Sequence, residues 1–303
     1  MSNGLEQTLP TLRTLRILPL SKAFRPATSH VYPPFKKGRY MEEYMYEELL
    51  TREIQTDWVY IPVFWTNLQN HPGFQKQKYD ILFQHAIQTF TAIHGSVQFF
   101  TIVQHDDGPQ LTLPVGTVVF GACTGTVPLP LIYEDTDNTL LGWRRVKKDL
   151  LASFVGQATH PVREEMVRAL RREDVVCHMK GGWTPSVSSD AATNFVEETL
   201  RAKFCLAPRG YGRGSFRMYE AMLLDTVPVY IWDDKEWLPY QEVLDYKAFS
   251  VSVNRKELSG LGEKLAAITD AEYEAMREEI RRVRRWFTLE GMADYVIKRI
   301  ALT

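Results

Sequence analysis

The stretch KFCLAPRGYGRGSFRMYEA at residues 203–221 predicts a strand, a glycine-rich loop and a helix in direct succession. Residues 204–207 form a short apolar run, which is typical of a buried strand. Pro208 ends that run because proline offers no backbone N–H to a neighbouring strand. The loop then allows a sharp turn and a close approach of its backbone to a ligand. Its three glycines are Gly210, Gly212 and Gly214.

The start of the helix after this loop is predicted to bind an anion. A helix N-terminus offers unpaired N–H groups and about half a positive charge. Guanidinium groups suit diphosphate oxygens, and Glu220, further into the helix, could accept hydrogen bonds from two ribose hydroxyls. The alternative is that Glu220 pairs with an arginine on a solvated face. We therefore predict a nucleoside diphosphate site that needs no metal. The arginines of the loop and helix are Arg209, Arg213 and Arg217.

Length, charge and cysteine content restrict the class of protein. The chain has 303 residues, which is enough for two domains of about 150 residues each. Its formal net charge of −1 disfavours a nucleic-acid partner. Three cysteines without metal-ligand spacing favour a reducing compartment. No stretch approaches the ~20 apolar residues of a membrane span, and no leader pattern is present. These observations predict a soluble, cytoplasmic protein without an integral membrane segment.

Apolar runs alternate with helical patterns along the chain, which predicts parallel α/β sheets that bind ligands at the carboxyl ends of their strands. Residues 1–35 are proline-rich and predict an irregular arm. A charged segment near residue 148 suggests a domain boundary, with domains at 1–148 and 149–303 and the last helix packing back on the first domain. The strands are expected at 58–65, 97–104, 115–122, 129–133, 150–155, 174–178, 204–207, 227–232 and 249–253. The main helices are expected at 37–52, 79–94, 162–172, 194–201, 257–267, 270–287 and 291–302.

Three blocks in the second half resemble the exostosin-like glycosyltransferases of the family 47 type. They read KFCLAPRGYGRGSFRMYEAM at 203–222, VPVYIWDD at 227–234 and LPYQEVLDYKAFSVSV at 238–253. The resemblance implies the GT-B architecture, in which two Rossmann-like domains face each other across a cleft and the C-terminal one binds the nucleotide sugar. It also implies transfer with inversion from a uridine diphosphate sugar. Where the family usually has glycine after the helix, this chain has Asp225, a residue type that tolerates the left-handed conformation.

The resemblance also implies roles for residues of these blocks. The diphosphate would lie near the loop and the helix start, the ribose at Glu220, and the base beside the backbone of Tyr230 to Asp233. The residues nearest the diphosphate would be Arg209, Gly212, Arg213, Gly214, Ser215 and Arg217.

Glycosyl transfer also needs a base that removes the proton of the acceptor hydroxyl. Such a base is expected at a strand's carboxyl end in the N-terminal domain, where Asp107 or Asp106 is favoured and His105 is the alternative or an orienting partner. A polar turn that caps the next element would explain the same residues. His160 and Arg163, at a second helix start, could touch the diphosphate or the acceptor.

The acceptor side of the cleft is expected to include Trp65, Asn67 and His71, which follow or end the first apolar run.

The sequence thus predicts an inverting glycosyltransferase that moves a sugar from a nucleoside diphosphate to a hydroxyl of a glycan acceptor, without a cofactor. One rival is a metal-dependent transferase that uses the Asp135-Thr136-Asp137 motif. Another is a catalytically silent partner subunit that binds nucleotide or glycan.

Overall fold

The structure, a computed structural model, describes residues 14–27, 39–135, 140, 146–182 and 188–302. Within them the strands form two separate five-stranded parallel sheets. The first sheet has the order β1-β2-β3-β4-β5, so its strands lie side by side in chain order. They are β1 (Arg16–Ile17), β2 (Val59–Tyr60), β3 (Phe99–Val103), β4 (Val118–Gly121) and β5 (Val127–Pro128).

In the second sheet all strands are parallel, but their order in space reverses relative to their order along the chain. Its order is β10-β9-β8-β6-β7, and β6 aligns with β8 so that Ala152 lies opposite Phe204. Chain order reverses between β6 and β8, and ligands of open α/β sheets bind outside the carboxyl ends at such a point. The strands are β6 (Leu150–Gln157), β7 (Val175–Lys180), β8 (Ala202–Pro208), β9 (Val227–Trp232) and β10 (Val251–Asn254).

Helices follow the strands much as the sequence predicts. The glycine-loop helix begins at Phe216, immediately after β8 and its loop, and its buried face packs on β8 and β9. The helices are α1 (Met41–Thr51), α2 (Trp65–Gln69), α3 (Lys76–His94), α4 (Pro161–Ala169), α5 (Ser189–Arg201), α6 (Phe216–Leu223), α7 (Leu261–Ala266), α8 (Asp270–Val283) and α9 (Leu289–Ile300).

Several expected elements differ in the structure. The arm is not wholly irregular, because Arg16 and Ile17 pair with β2 as an edge strand. The apolar run at 58–65 is a strand only at Val59–Tyr60, and α2 begins at its last residue. Residues 129–133 do not form a strand, since only a single antiparallel bridge joins Tyr133 to Tyr40.

One hydrophobic core joins the two sheets. It includes Phe100 and Phe120 from the first sheet, Phe204 and Val229 from the second, and Met292 of α9. A second cluster covers the other face of the first sheet beneath α3. The expected boundary at 148/149 falls between β5 and β6 and stays a prediction.

Asp225 has the left-handed backbone conformation that the family's glycine would adopt, with φ of 55°. Its carboxylate binds two arginines of α8, Arg277 and Arg281, the latter through an Nε–Oδ1 contact of 3.0 Å. The α8 arginines thus hold the strained turn between α6 and β9 in place.

Candidate active site

The carboxyl ends of both sheets face a common cleft of about 1100 Å³. Residues 104–107, which follow β3, line it from the first sheet together with Thr66 and Asn70. The second sheet contributes the end of β6, the glycine loop and the start of α6. The cleft therefore lies at the reversal between β6 and β8, as the strand order requires.

Two glycines of the loop leave room for residues from the half of the protein that contains the first sheet. A Cβ on Gly212 would overlap Asp106 Oδ1 and lie 2.7 Å from Cys123 Sγ. A Cβ on Gly214 would lie 2.6 Å from the carbonyl oxygen of Ala122. Neither glycine has a positive φ, so close packing between the two halves, rather than a special backbone conformation, requires them. The structure gives this close approach to Asp106 after β3 and to the β4–β5 connection, and the expected approach of the loop to a ligand stays a prediction.

Two of the three arginines expected at the diphosphate are paired with carboxylates. Arg209 Nη1 donates to Asp233 Oδ1 at 2.6 Å and to Asp234 Oδ1 at 2.9 Å. Arg213 contacts Asp234 Oδ2 through Nε at 2.8 Å and Nη2 at 2.6 Å. Burial disfavours the charge of Asp234, yet the bonds from Arg213 and the Lys235 N–H bring its pKa to about 2. Neither arginine lines the cleft, and their expected contact with the diphosphate stays a prediction.

Arg163 and Arg217 are different, because neither has a carboxylate within 4.0 Å in the part of the chain that the structure describes. Arg163 is only 6% exposed and donates to the carbonyl oxygens of Arg209 and Gln157 at 2.9 and 2.8 Å. Arg217 Nε donates to the Val155 carbonyl at 2.5 Å. Burial and the nearby charge of Arg217 lower the pKa of Arg163 to about 9. Both line the cleft, and neither forms an ion pair with a described carboxylate.

The N-terminal part of α6 adds two more polar groups to the side of the cleft that carries Arg163 and Arg217. Ser215 is 5% exposed and lines the cleft, and its hydroxyl has no hydrogen-bond partner among the described residues. Glu220, one turn further, is 4% exposed and accepts a hydrogen bond from the Tyr133 hydroxyl at 2.9 Å. Burial raises the pKa of Glu220, while the charge of Arg217 and the Tyr133 bond act in the opposite direction. The carboxylate therefore interacts with the charge of Arg217 without forming an ion pair with it.

Other residues assigned to the donor site have structural contacts. The Tyr230 hydroxyl donates to the Arg213 carbonyl at 3.0 Å and accepts from the Trp237 N–H, so it supports the loop from outside the cleft. His160 caps α4 by accepting the Val162 N–H, and its Nε2 lies 3.5 Å from Asp233 Oδ2. Tyr230, His160 and Asp233 do not line the cleft, and their expected contact with the donor stays a prediction.

The three candidate bases all line the cleft, but their hydrogen bonds and burial differ. His105 Nδ1 accepts the Asp107 N–H at 3.2 Å, so neutral His105 carries its proton on Nε2. Burial lowers the pKa of His105 and favours that neutral form. Asp106 turns toward Cys123 and Gly212, and burial raises its pKa. Asp107 is exposed and hydrogen-bonds the Tyr211 side chain. Gly108 makes the turn after them with a φ of 74°.

The expected acceptor residues do not line the cleft. Trp65 is fully buried in the core, and its Nε1 donates to Thr101 Oγ1 at 2.8 Å. Asn67 donates to the Pro26 carbonyl, and exposed His71 accepts the Gly73 N–H. The apolar run ends in a helix, which turns these side chains away from the strand's continuation, and their role on the acceptor side stays a prediction.

Neighbours of those residues line the cleft in their place. They include Thr66 and Gln104, whose backbone N–H groups both donate to the buried carboxylate of Glu42, at 2.9 and 2.7 Å. Burial raises the pKa of Glu42 to about 7. No spacing rule could reveal Glu42 or Tyr133, because their partners lie 24, 62 and 87 residues away.

The structure describes only the first residue of the Asp135-Thr136-Asp137 motif. Thr136 and Asp137 lie outside the described residues, and Asp135 Oδ2 accepts the Leu140 N–H at 3.0 Å. Within the described ranges, no group of three or more His, Cys, Asp or Glu side chains could hold a metal ion. The same ranges contain no helix with the length and apolar character needed to cross a membrane.

Two parallel Rossmann-like sheets that face one cleft define the GT-B class, so the expected fold class is confirmed. Residues 121–268 match the model of the exostosin GT47 domain. This part of the chain is similar to the exostosin GT47 domain, which confirms the resemblance seen in the sequence.

Known proteins match parts of the chain. "Probable glycosyltransferase At3g07620" of Arabidopsis thaliana is 27% identical over 207 residues, which are 61% of this chain and 42% of that protein. "Exostosin-1 homolog" of Caenorhabditis elegans is 31% identical over 109 residues, 35% of this chain and 28% of that protein. The chain thus spans less than half the length of these relatives.

Solved structures align with the chain over most of its length at low similarity. The T4 phage BGT, a structure in complex with its UDP-glucose substrate, has a TM-score of 0.38 and 14% identity over 81% of this chain and 82% of that one. WaaG, a glycosyltransferase involved in lipopolysaccharide biosynthesis, has a TM-score of 0.39 and 13% identity, with 80% and 74% covered.

Proposed function

We propose that this protein is an inverting glycosyltransferase that transfers a sugar from a nucleoside diphosphate, of which uridine diphosphate is the favoured carrier, to a hydroxyl of a glycan acceptor. The observation that carries the proposal is the pair of cleft arginines, Arg163 and Arg217, that lack carboxylate partners among the described residues. A buried guanidinium without a counter-ion is costly, and an anionic ligand would relieve that cost. The GT47 match and the glycosyltransferase names of the relatives support the same class.

The pattern of groups in the wall fits a nucleoside diphosphate better than a simple anion. The unpartnered Ser215 hydroxyl and the N-terminus of α6 add donors beside the arginines. Glu220 lies one turn away, where it can accept a hydrogen bond from a sugar hydroxyl. We assign the diphosphate to Arg163, Arg217 and Ser215 and the ribose to Glu220. Arg209 and Arg213 then act by holding the loop through Asp233 and Asp234.

The proposed reaction is a direct displacement at the anomeric carbon. The acceptor oxygen forms the new bond to that carbon while the bond to the diphosphate oxygen breaks, and the electron pair leaves with the diphosphate. Arg163 and Arg217 stabilise the negative charge that develops there, with no metal required. The acceptor proton passes to a carboxylate of the opposite wall. We assign this role to Asp107, because neutral His105 presents a proton on Nε2 and Asp106 packs against Gly212.

A thermal-shift screen against nucleoside diphosphates and their sugars, with and without chelator, tests the proposal. We expect at least one uridine or other nucleoside diphosphate to raise the melting temperature, with the same shift in chelator. Glu220→Gln should weaken that binding roughly 10-fold or more, since it removes a charged acceptor. The matched control is Glu242→Gln, whose carboxylate accepts from Tyr295 away from the cleft.

Turnover separates an enzyme from a silent subunit. Asp107→Asn should bind the donor normally and transfer sugar roughly 10²–10⁴-fold more slowly, because the general base is lost. The anomeric configuration of the product, read by NMR, reports inversion. If no nucleoside diphosphate binds the wild-type protein, the proposal fails. Binding without any transfer or donor hydrolysis would favour the silent partner subunit, and strict dependence on a divalent metal would favour the Asp-x-Asp alternative.

A further inference from the structure

A hydrogen bond between the two halves of the protein reaches into the cleft. The Tyr133 hydroxyl, from the segment after β5, donates to Glu220 Oε1 of α6 at 2.9 Å. The Tyr133 ring also packs on Phe216 of the same helix, with 5.5 Å between ring centroids. Glu220 is thus held from outside its own sheet.

The segment that carries Tyr133 is itself fixed. Arg39 donates to Glu134 through its backbone N–H, Nε and Nη2, at 3.0, 3.1 and 2.8 Å. The Glu134 N–H returns a bond to the Arg39 carbonyl at 3.0 Å, and Tyr40 forms a β-bridge with Tyr133. A phenol on such a support has little freedom, so its hydrogen bond can define the rotamer of the carboxylate that it contacts.

One oxygen of Glu220 remains available. Tyr133 occupies Oε1, whereas Oε2 has no hydrogen-bond donor in the described part of the chain, and Glu220 lines the cleft. An ionised carboxylate accepts through both oxygens, so Oε2 is suited to a hydroxyl donor from a ligand. The Tyr133 bond also favours the ionised form, since burial raises the pKa of Glu220 and this bond lowers it.

We propose that Tyr133 is a positioning residue for nucleotide recognition, which holds Glu220 so that Oε2 accepts a ribose hydroxyl. This inference rests on the proposed function, because it requires a ribose at Glu220. It makes ribose recognition a property of both halves of the protein, although Tyr133 itself need not touch the nucleotide.

The test is Tyr133→Phe, which removes one oxygen atom and keeps the ring on Phe216. By calorimetry we expect uridine diphosphate to bind roughly 3–30-fold more weakly, which is less than the loss of a charged hydrogen bond made by the ligand itself because Tyr133 acts through Glu220. Inorganic pyrophosphate should bind as to wild type, because it uses only Arg163, Arg217 and Ser215. The 2′,3′-dideoxy analogue of uridine diphosphate should also be insensitive to the substitution, since it lacks the hydroxyls that Glu220 would accept.

Tyr295→Phe is the matched control, because it removes a tyrosine–glutamate hydrogen bond, to Glu242 at 2.5 Å, outside the cleft. It should leave all three affinities unchanged. The double variant Tyr133→Phe/Glu220→Gln should bind uridine diphosphate no more weakly than Glu220→Gln alone, because Tyr133 acts through that carboxylate.

The outcomes separate the two proposals. If wild type binds no nucleoside diphosphate, the proposed function fails first. If wild type binds uridine diphosphate and Tyr133→Phe binds it equally well, only the positioning role is refuted. Equal weakening of pyrophosphate and uridine diphosphate binding would mean a general disturbance of the cleft and would also refute the positioning role. Independent effects of the two substitutions in the double variant would refute it as well. Pyrophosphate binding by Tyr133→Phe reports at the same time that the variant is folded.

Discussion

At the scale of single residues, the close packing between the two halves of the protein depends on glycines, which have no Cβ atom. Gly212 and Gly214 allow the loop to touch Asp106, Ala122 and Cys123, whereas Gly210 has only the flexible end of Arg163 and the Thr159 hydroxyl nearby. Glycines of one motif therefore have different roles, which their spacing does not distinguish.

Gly212→Ala should destabilise the protein by roughly 1–3 kcal/mol, the usual cost of adding a methyl group to a well-packed contact. The new methyl would overlap the Asp106 carboxylate and crowd Cys123 Sγ. Gly210→Ala is the control, because its nearest atom, Arg163 Nη2, would be 3.2 Å away at a side-chain end. Urea unfolding of both variants measures the difference. Equal stability of the two would contradict the close contact.

At the scale of elements, one buried carboxylate joins three of them. Glu42 of α1 accepts from Thr66 in α2 and from the Gln104 N–H at the end of β3, while Gln104 Oε1 accepts the Met41 N–H. Unpaired N–H groups of two helix starts are thereby satisfied beneath the cleft wall that carries residues 105–107. No cation lies within 4.0 Å of Glu42 among the described residues.

This arrangement predicts a pH dependence of stability. The pKa of Glu42 is about 7 in the folded protein against an ordinary value of 4.5. Folded protein therefore binds the proton more tightly, so the free energy of unfolding falls as pH rises from 4.5 to 7, by up to about 3 kcal/mol. Relative to wild type, Glu42→Gln should gain roughly 1–3 kcal/mol between pH 5 and pH 8, as measured by urea unfolding at both values.

The comparison between two pH values removes any constant cost of replacing a carboxylate oxygen with an amide. Glu48→Gln, on the same helix and partly exposed, is the control and should show no such gain. A difference between Glu42→Gln and wild type that is the same at both pH values would mean that Glu42 does not titrate in this window.

At the scale of the whole molecule, the last helix connects the two halves. Arg52 of α1 binds Asp294 of α9 at 2.6 Å, and the Leu302 N–H donates to the Gln55 carbonyl at 2.9 Å. On the opposite side, Tyr295 packs edge-to-face against Tyr240 with 4.5 Å between ring centroids. The common core continues through Met292.

Because the core is continuous, we expect both halves to unfold in a single cooperative transition. Met292→Ala should lower the free energy of unfolding by about 2–5 kcal/mol, since Met292 is fully buried in that core. Tryptophan fluorescence and far-UV circular dichroism in urea should report the same midpoint for this variant. Lys298→Ala, at an exposed position of the same helix, should change stability little. Two separate transitions would mean that the halves are independent domains.

The local pattern of the chain determined which segments form elements and what class of fold they build. Buried parallel strands are apolar along their whole length, as 204–207 and 227–232 are, and the glycine loop with its helix lies at the predicted place. The short strand β1 could not be predicted, because two residues carry no periodicity and β2 alone stabilises them.

Only the tertiary structure decided which charged groups face the cleft. Three arginines of the loop and helix look alike in sequence, yet Asp233 and Asp234 pair with two of them and Arg217 stays free of carboxylates among the described residues. Arg163 lines the cleft, and Tyr133 hydrogen-bonds the cleft residue Glu220, both from distant segments. The reason is physical: electrostatic and hydrogen-bond partners are selected by distance in space, whereas propensity and periodicity act between neighbours along the chain.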